Sequence, residues 1–168
     1  TPIFPPAEKR GADLIETMMH VGWSACSLTV RTQNVDLSVF DTERRHLEWT
    51  LTALLLARRY QAGFLDEPAY RYYDDTPGSL SKSVEHSLAA PEIWTRLLTS
   101  YAATPYEPVM RRRYGIECHN ASWEHARLGN LRQAWRLHVE SLKSPGGFPA
   151  FLPYSRKLLL ASARRMFS

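Results

Sequence analysis

Glu48 and its neighbours are the residues in this chain whose types and spacing could do chemistry. Glu48 lies in the first turn of a Leu-rich segment, with Trp49 after it and His46 two residues before it. A carboxylate can serve as a general base, a tryptophan ring can stack on a sugar, and a histidine can orient an acceptor. A structural interpretation stays open, because the helix dipole also favours an acid in a first turn and a tryptophan on such a helix is commonly core.

A second set of polar residues follows some twenty positions later. Arg71, Ser79 and Ser81 could contact acceptor hydroxyls or a donor phosphate. An ion pair of Arg71 with Asp66 or Glu67 would explain the arginine equally well.

The cysteines and histidines indicate no metal site. Cys26 and Cys118 are far apart and lack C-x-x-C spacing, so we expect free thiols rather than a zinc site or a disulfide framework. The remaining histidines have no ligand spacing and receive no role: His20, His86, His119, His125 and His138.

Composition is that of a globular domain with one basic end. The 168 residues are 44% hydrophobic and 23% charged, with a net charge of +4. Basic clusters occur at 111–113 and at Arg156, Lys157, Arg164 and Arg165, as either a solvated helix face or a site for an anionic partner. No apolar run reaches the ~18 residues of a membrane span, and no nucleic-acid motif occurs. We therefore expect a cytoplasmic protein without a nucleic-acid partner.

The elements that must position the candidate residues divide the chain at about residue 82. Alternation over Cys26–Arg31 predicts a strand, and Thr42 is placed to cap a helix that runs to about Tyr60. Two short extended pieces surround Pro68. The region 83–168 has helical spacing, with breakers at Gly129-Asn130 and Pro145-Gly146-Gly147 and a final basic helix from Tyr154 to Met166.

Seven short segments between residues 28 and 81 follow one another in an order that is more specific than any of them alone. They are Leu28-Thr29-Val30-Arg31, Val39-Phe40-Asp41, Leu47-Glu48-Trp49, Leu54-Leu55-Leu56-Ala57-Arg58, Phe64-Leu65-Asp66-Glu67-Pro68, Tyr70-Arg71 and Gly78-Ser79-Leu80-Ser81. This order and spacing resemble the carboxyl-terminal half of the catalytic domain of bacterial family-2 glycosyltransferases, which have the GT-A fold.

The resemblance implies an α/β, α-rich fold: an incomplete GT-A-like small sheet with packed helices, followed by an all-helical region. Residues 1–82 would be the acceptor-side half of the catalytic domain and 83–168 a helical extension. Glu48 would be the catalytic base of inverting sugar transfer to a saccharide or lipid-linked acceptor. The chain departs from the family pattern in carrying Glu48 where the family has Asp, which moves the carboxylate by roughly 1.5 Å, and Leu47 where the family has an acid.

The resemblance also implies a missing part. The family binds its nucleotide-sugar through an amino-terminal half with an Asp-X-Asp motif that holds Mg²⁺ or Mn²⁺, and no such motif occurs here. We expect no cofactor in this chain and no transfer by the chain alone. Its partners would be a donor-binding half or a second copy, and a saccharide acceptor.

Two further hypotheses concern the helical region. Residues 121–145 resemble one tetratricopeptide hairpin, which gives the alternative function of a non-catalytic protein-interaction module. The stripe of Leu158, Leu159, Leu160, Met166 and Phe167, with its basic neighbours, fits an interfacial helix. Residues 151–167 could thus hold the protein at the inner membrane as a peripheral protein.

Overall fold

The computed structural model describes residues 15, 18–19, 30–40, 46–60 and 83–166, of which 165 and 166 are described by their backbone alone. The chain forms two compact units, Thr1–Pro77 and Gly78–Ser168. The described elements are helices of the α and 3₁₀ types.

The longest element described in the first unit is an α-helix. Helix α1, Glu48–Arg59, follows two 3₁₀ turns, Thr32–Asn34 and Leu37–Phe40, and packs against the second turn. Its leucines recur at helical spacing, and Leu51 and Leu54 are almost fully buried. The predicted end near Tyr60 is confirmed. The helix begins at Glu48 rather than beside Thr42, which lies outside the described residues.

The predicted α/β fold with a GT-A-like sheet is wrong. No strand or sheet occurs among the described residues, and all of the elements that they form are helices. Val30 and Arg31, the described end of the predicted strand, have no sheet partner, and the chain enters a 3₁₀ turn at Thr32. Alternating side chains predict an extended backbone, but a strand also requires a neighbour to accept and donate its ladder bonds. The rest of that segment and both extended pieces around Pro68 lie outside the described residues.

The described part of the second unit, residues 83–166, is a bundle of four helices. They are α2, Val84–Ser100; α3, Glu107–Arg127; α4, Leu131–Lys143; and α5, Gly147–Met166. Consecutive helices pack on one another, and α3 also contacts α5, so α3 touches all three of the others. Short connections make neighbouring helices antiparallel. The expected helical character beyond residue 82 is therefore confirmed for residues 83–166.

Local signals fix the ends of these helices. The Ser83 side chain caps α2 by accepting the His86 N–H at 3.1 Å, and the Asn130 side chain caps α4 by accepting the Gln133 N–H at 3.4 Å. Gly129 and Gly146 have φ of 77° and 72°, where a Cβ is disfavoured. Both predicted breakers are thus confirmed as turns.

Two helical expectations need correction. Helix α5 begins at Gly147, seven residues before the predicted start, and continues through Pro153. Phe151 explains this extension, because its ring stacks on His119 of α3 with centroids 4.3 Å apart and anchors the early turns. Helical spacing also predicts one stripe made of Met110, Tyr114, Cys118, Ala121, His125 and Leu128. Leu128 is instead 62% exposed, because the helix ends at Arg127.

Small residues let α3, α4 and α5 approach closely. A Cβ added to Gly115 of α3 would collide with the side chain of Ser144, and one added to Gly147 would collide with the Ser141 carbonyl oxygen. Farther along, the buried Ser122 hydroxyl donates to the Ala134 carbonyl at 2.8 Å. Tight contacts of this kind leave no room for larger side chains.

Gly115→Ala should destabilise the protein. Alanine gains up to about 1 kcal/mol of helix propensity, but overpacking costs about 1–3 kcal/mol, so the urea midpoint should fall. The double variant Gly115→Ala/Ser144→Gly, which removes the opposing side chain, should lose less than the sum of the two single changes. A Gly115→Ala protein as stable as the wild type would contradict the close approach.

Candidate functional site

The amino terminus of α1 holds the candidate base. Leu47, the residue before the helix, has φ 58° and ψ 12°, in the left-handed region, and makes no side-chain cap. This conformation costs a non-glycine residue about 1–2 kcal/mol, and such residues concentrate at functional sites. The helix therefore begins abruptly, with Glu48 as its first residue.

The three sequence-predicted residues of this region lie together at that helix end. Trp49 is 47% exposed, whereas His46 and Glu48 are half-buried. Trp49 is not a core residue, so the structural interpretation weighed for it is wrong. Its ring is available to a ligand beside the Glu48 backbone position.

Helix α1 is joined to the segment before it by one buried contact and two exposed contacts. The Thr52 hydroxyl donates to the Val39 carbonyl at 3.4 Å in a buried contact. The Asp36 N–H donates to the Tyr60 hydroxyl at 3.0 Å, and Arg59 lies 3.8 Å from the Asp36 carboxylate. The Ser38 hydrogen bonds to the Asp36 carboxylate, followed by the Arg59 charge, lower the pKa of Asp36. These contacts set α1 against the second 3₁₀ turn.

The remaining predicted site residues, Arg71, Ser79 and Ser81, lie outside the described residues. Of the predicted site residues, the structure thus describes His46, Glu48 and Trp49, which are close neighbours in sequence. No group of three metal-ligating side chains occurs in the part of the chain that the structure describes. Within that same part, no helix is both long and apolar enough to cross a bilayer.

The second unit contains an aromatic and histidine cluster that sequence reasoning missed. The cluster consists of His119 and Trp123 of α3, Trp135 and His138 of α4, and Phe151 and Tyr154 of α5. Tyr154 is at its centre, with ring centroids 4.9 Å from His119, 5.5 Å from Trp123 and 5.3 Å from His138. The sequence did contain a signal for this cluster, because its members occur in pairs spaced i+3 or i+4, which lie on one helix face. The pairs are 119/123, 135/138 and 151/154.

Polar contacts join α4 to α5 beside this cluster. The His138 Nε2 atom and the Ser155 hydroxyl are 2.7 Å apart, and the Trp135 Nε1–H donates to the Ser162 hydroxyl at 3.0 Å. Burial lowers the pKa of His138. Burial, and then the neighbouring His138, lower the pKa of His119. Both imidazoles are therefore packed as neutral rings.

The described cysteine is not a nucleophile. Cys118 is a fully buried free thiol, as expected, and burial raises its pKa to about 11. A thiol with so high a pKa carries almost no thiolate near neutral pH.

The basic cluster at 111–113 is partly neutralised within its own helix. Arg111 pairs with Glu107 at 2.7 Å, and Arg113 pairs with Glu117 at 2.7 Å and lies 5.7 Å from the Trp94 ring centre. This supports a solvated helix face rather than an anion site.

Comparison with protein-family models, with curated proteins and with solved structures finds no match to this chain.

Acidification should destabilise the bundle. The pKa values of His119 and His138 are lowered from 6.5 in the folded state, so at intermediate pH the unfolded chain binds more protons. The contribution of these histidines to the free energy of unfolding should be complete above pH 6.5. It should be lost as the pH falls through their folded-state pKa values. Urea midpoints across this range measure the effect.

The matched variant is His119→Phe, which keeps a ring against Phe151 but removes one titrating group. Its midpoint should change less with pH than that of the wild type. An equal pH dependence in the two proteins would show that His119 does not contribute.

Proposed function

We propose that this chain supplies the acceptor side of an inverting glycosyltransferase, with Glu48 as the catalytic base. The acceptor is a saccharide or a lipid-linked saccharide, and the donor is a nucleotide-sugar held by a separate donor-binding half. The proposal does not require a sheet among the described residues. It concerns the amino terminus of α1 and the turn packed against it.

One spatial relationship carries the proposal. Two segments that resemble family motifs, Val39-Phe40-Asp41 and Leu47-Glu48-Trp49, are separated in sequence, yet the turn that contains Val39 packs against the helix that begins at Glu48. The left-handed Leu47 precedes that helix, so an acid and an exposed aromatic residue are its first two residues. Sugar sites combine such groups, because the carboxylate handles a hydroxyl proton and the ring packs on the sugar face.

The chemistry assigned to these residues is a single displacement. The Glu48 carboxylate accepts the proton of an acceptor hydroxyl while that oxygen forms a bond to the anomeric carbon of the donor. The bond from the anomeric carbon to the phosphate oxygen breaks, and the nucleoside diphosphate leaves with the bonding electrons. Trp49 stacks on the acceptor ring and His46 orients a hydroxyl. Metal ions, when present, belong to the donor-binding half.

Glu48→Gln tests the base directly. Combined with a donor-binding half that restores transfer, the wild-type chain should be active, and the Gln variant should lose about 10²–10⁴-fold in rate because an amide cannot accept the proton. Product formation from a radiolabelled nucleotide-sugar is the measurement. Stability should change little, because Gln keeps the shape of Glu.

Two variants act as controls for this experiment. Glu85→Gln removes the first-turn acid of α2 instead and should leave transfer unchanged. His46→Ala should reduce transfer less than Glu48→Gln does. Full transfer by the Glu48→Gln protein would place the base elsewhere and remove the proposed role of α1.

A second candidate function is a non-catalytic helical interaction module. The observation in its favour is the α3–α4 hairpin, whose helices pack closely through Ser122 and Ala134 around the Gly129 turn, as in a tetratricopeptide repeat. Leu128 and Val139 of this hairpin are exposed. Solenoids need about three repeats to bury a continuous core, so the single hairpin makes this the lesser candidate. Transfer that survives Glu48→Gln but is lost on Leu128→Gln/Val139→Gln would favour it.

A further inference from the structure

Helix α5 has two apolar faces, and only one of them is used by the bundle. Tyr154 and Leu158 lie on the inner face and are buried against α3 and α4. On the outer face Phe148, Leu152 and Leu159 recur at positions that fall within about 60° of one another on a helix. Phe148 is 58% exposed and Leu159 is 60% exposed, and Leu160 beside them is 53% exposed.

This arrangement corrects the stripe predicted from the sequence. Leu158 belongs to the core, and Phe151 packs on His119, so neither forms part of the outer surface. Phe148 and Leu152 were not part of the predicted stripe, but both are exposed on the outer surface. The exposed apolar face therefore begins near the start of α5 and continues for about three turns to Leu160.

The charge on α5 has a single sign. The sequence from Gly147 to Met166 contains Arg156, Lys157, Arg164 and Arg165 and no acidic residue. Among the described residues, no carboxylate lies within ion-pair distance of Arg156 or Arg164, both of which are exposed. The basic cluster of α5 thus differs from that of α3, where glutamates pair with two of the three arginines.

A tryptophan of α3 lies beside the flank of α5 that carries Lys157. The Lys157 ammonium lies 5.1 Å from the ring centre of Trp123 on α3, and that ring is partly exposed. Tryptophan is enriched where a protein meets the boundary between lipid and water, because its ring is apolar and its N–H is polar. Arginine and lysine stems can lie along apolar surface there while their charged ends reach the headgroups.

We propose that the outer face of α5 binds the surface of an anionic lipid bilayer, with α5 lying in the plane of the interface. Exposed apolar side chains enter the acyl boundary, and unpaired basic groups contact the headgroup phosphates. Charge complementarity selects this occupant, because every charged side chain of the helix is basic. The proposal does not depend on sugar transfer, and its test uses no sugar.

Vesicle co-sedimentation of the full chain tests the proposal. The protein should sediment with vesicles of phosphatidylcholine and phosphatidylglycerol and should remain in the supernatant with phosphatidylcholine alone. Raising the salt concentration should weaken binding, because exposed charges are screened. Equal behaviour with the two lipid compositions would overturn the proposal.

Matched variants separate the apolar and charged contributions. Leu159→Gln/Leu160→Gln should weaken binding by about tenfold or more, since two exposed apolar side chains that would enter the bilayer are lost. Arg156→Gln/Arg164→Gln should weaken it at low salt and reduce its salt dependence. The controls Leu128→Gln, directly after α3, and Arg132→Gln on α4 change exposed residues of the same types away from α5 and should bind as the wild type does.

The remaining outcomes are also decisive. If the leucine pair cannot be exchanged without loss of helical circular dichroism, Phe148→Gln/Leu152→Gln tests the other end of the same face. Binding that is unchanged in a folded variant of this face overturns the proposal. A change from oligomer to monomer in light scattering, with no vesicle binding by the wild type, would instead assign the face to contact between two copies of the chain.

Discussion

The close approach of α3, α4 and α5 is the constraint on which the second unit depends. At Gly115 the backbone of α3 lies so near Ser144 that no side chain fits between them, and Gly147 is held against Ser141 in the same way. These contacts fix where α5 starts and which of its faces turns inward. Tyr154 and Leu158 are therefore buried, and the outer face of α5 is exposed. A helix packed less closely would not have one fixed inner face and one fixed outer face.

The aromatic and histidine cluster completes this arrangement. Tyr154 contacts rings from both α3 and α4, so this one side chain packs α5 against two other helices. His119 and His138 pack among these rings, and their burial favours the neutral imidazole over the charged form. A single set of contacts therefore gives the bundle its shape and its sensitivity to acid.

Much of the helical architecture could be predicted from the sequence because its signals are local. Ser83, Gly129-Asn130 and Pro145-Gly146-Gly147 act within a few residues, and each lies at an observed helix end. The strand could not be predicted reliably, because alternation at Val30 and Arg31 describes the backbone but not a partner. The early start of α5 depends on the contact of Phe151 with His119, which is distant in sequence. The sequence alone shows that Glu48 precedes Trp49, but it does not predict the left-handed backbone of Leu47 directly before them.

The central claim is that the end of α1 supplies one base for an in-line displacement at a sugar. Such a displacement must invert the anomeric centre, since the acceptor oxygen attacks opposite the leaving phosphate. The most direct measurement is the anomeric configuration, by proton NMR, of the glycoside formed when the chain is combined with a donor-binding half. The proposed inverting displacement predicts a product whose configuration is opposite to that of the donor. A product that retains the donor configuration would contradict it.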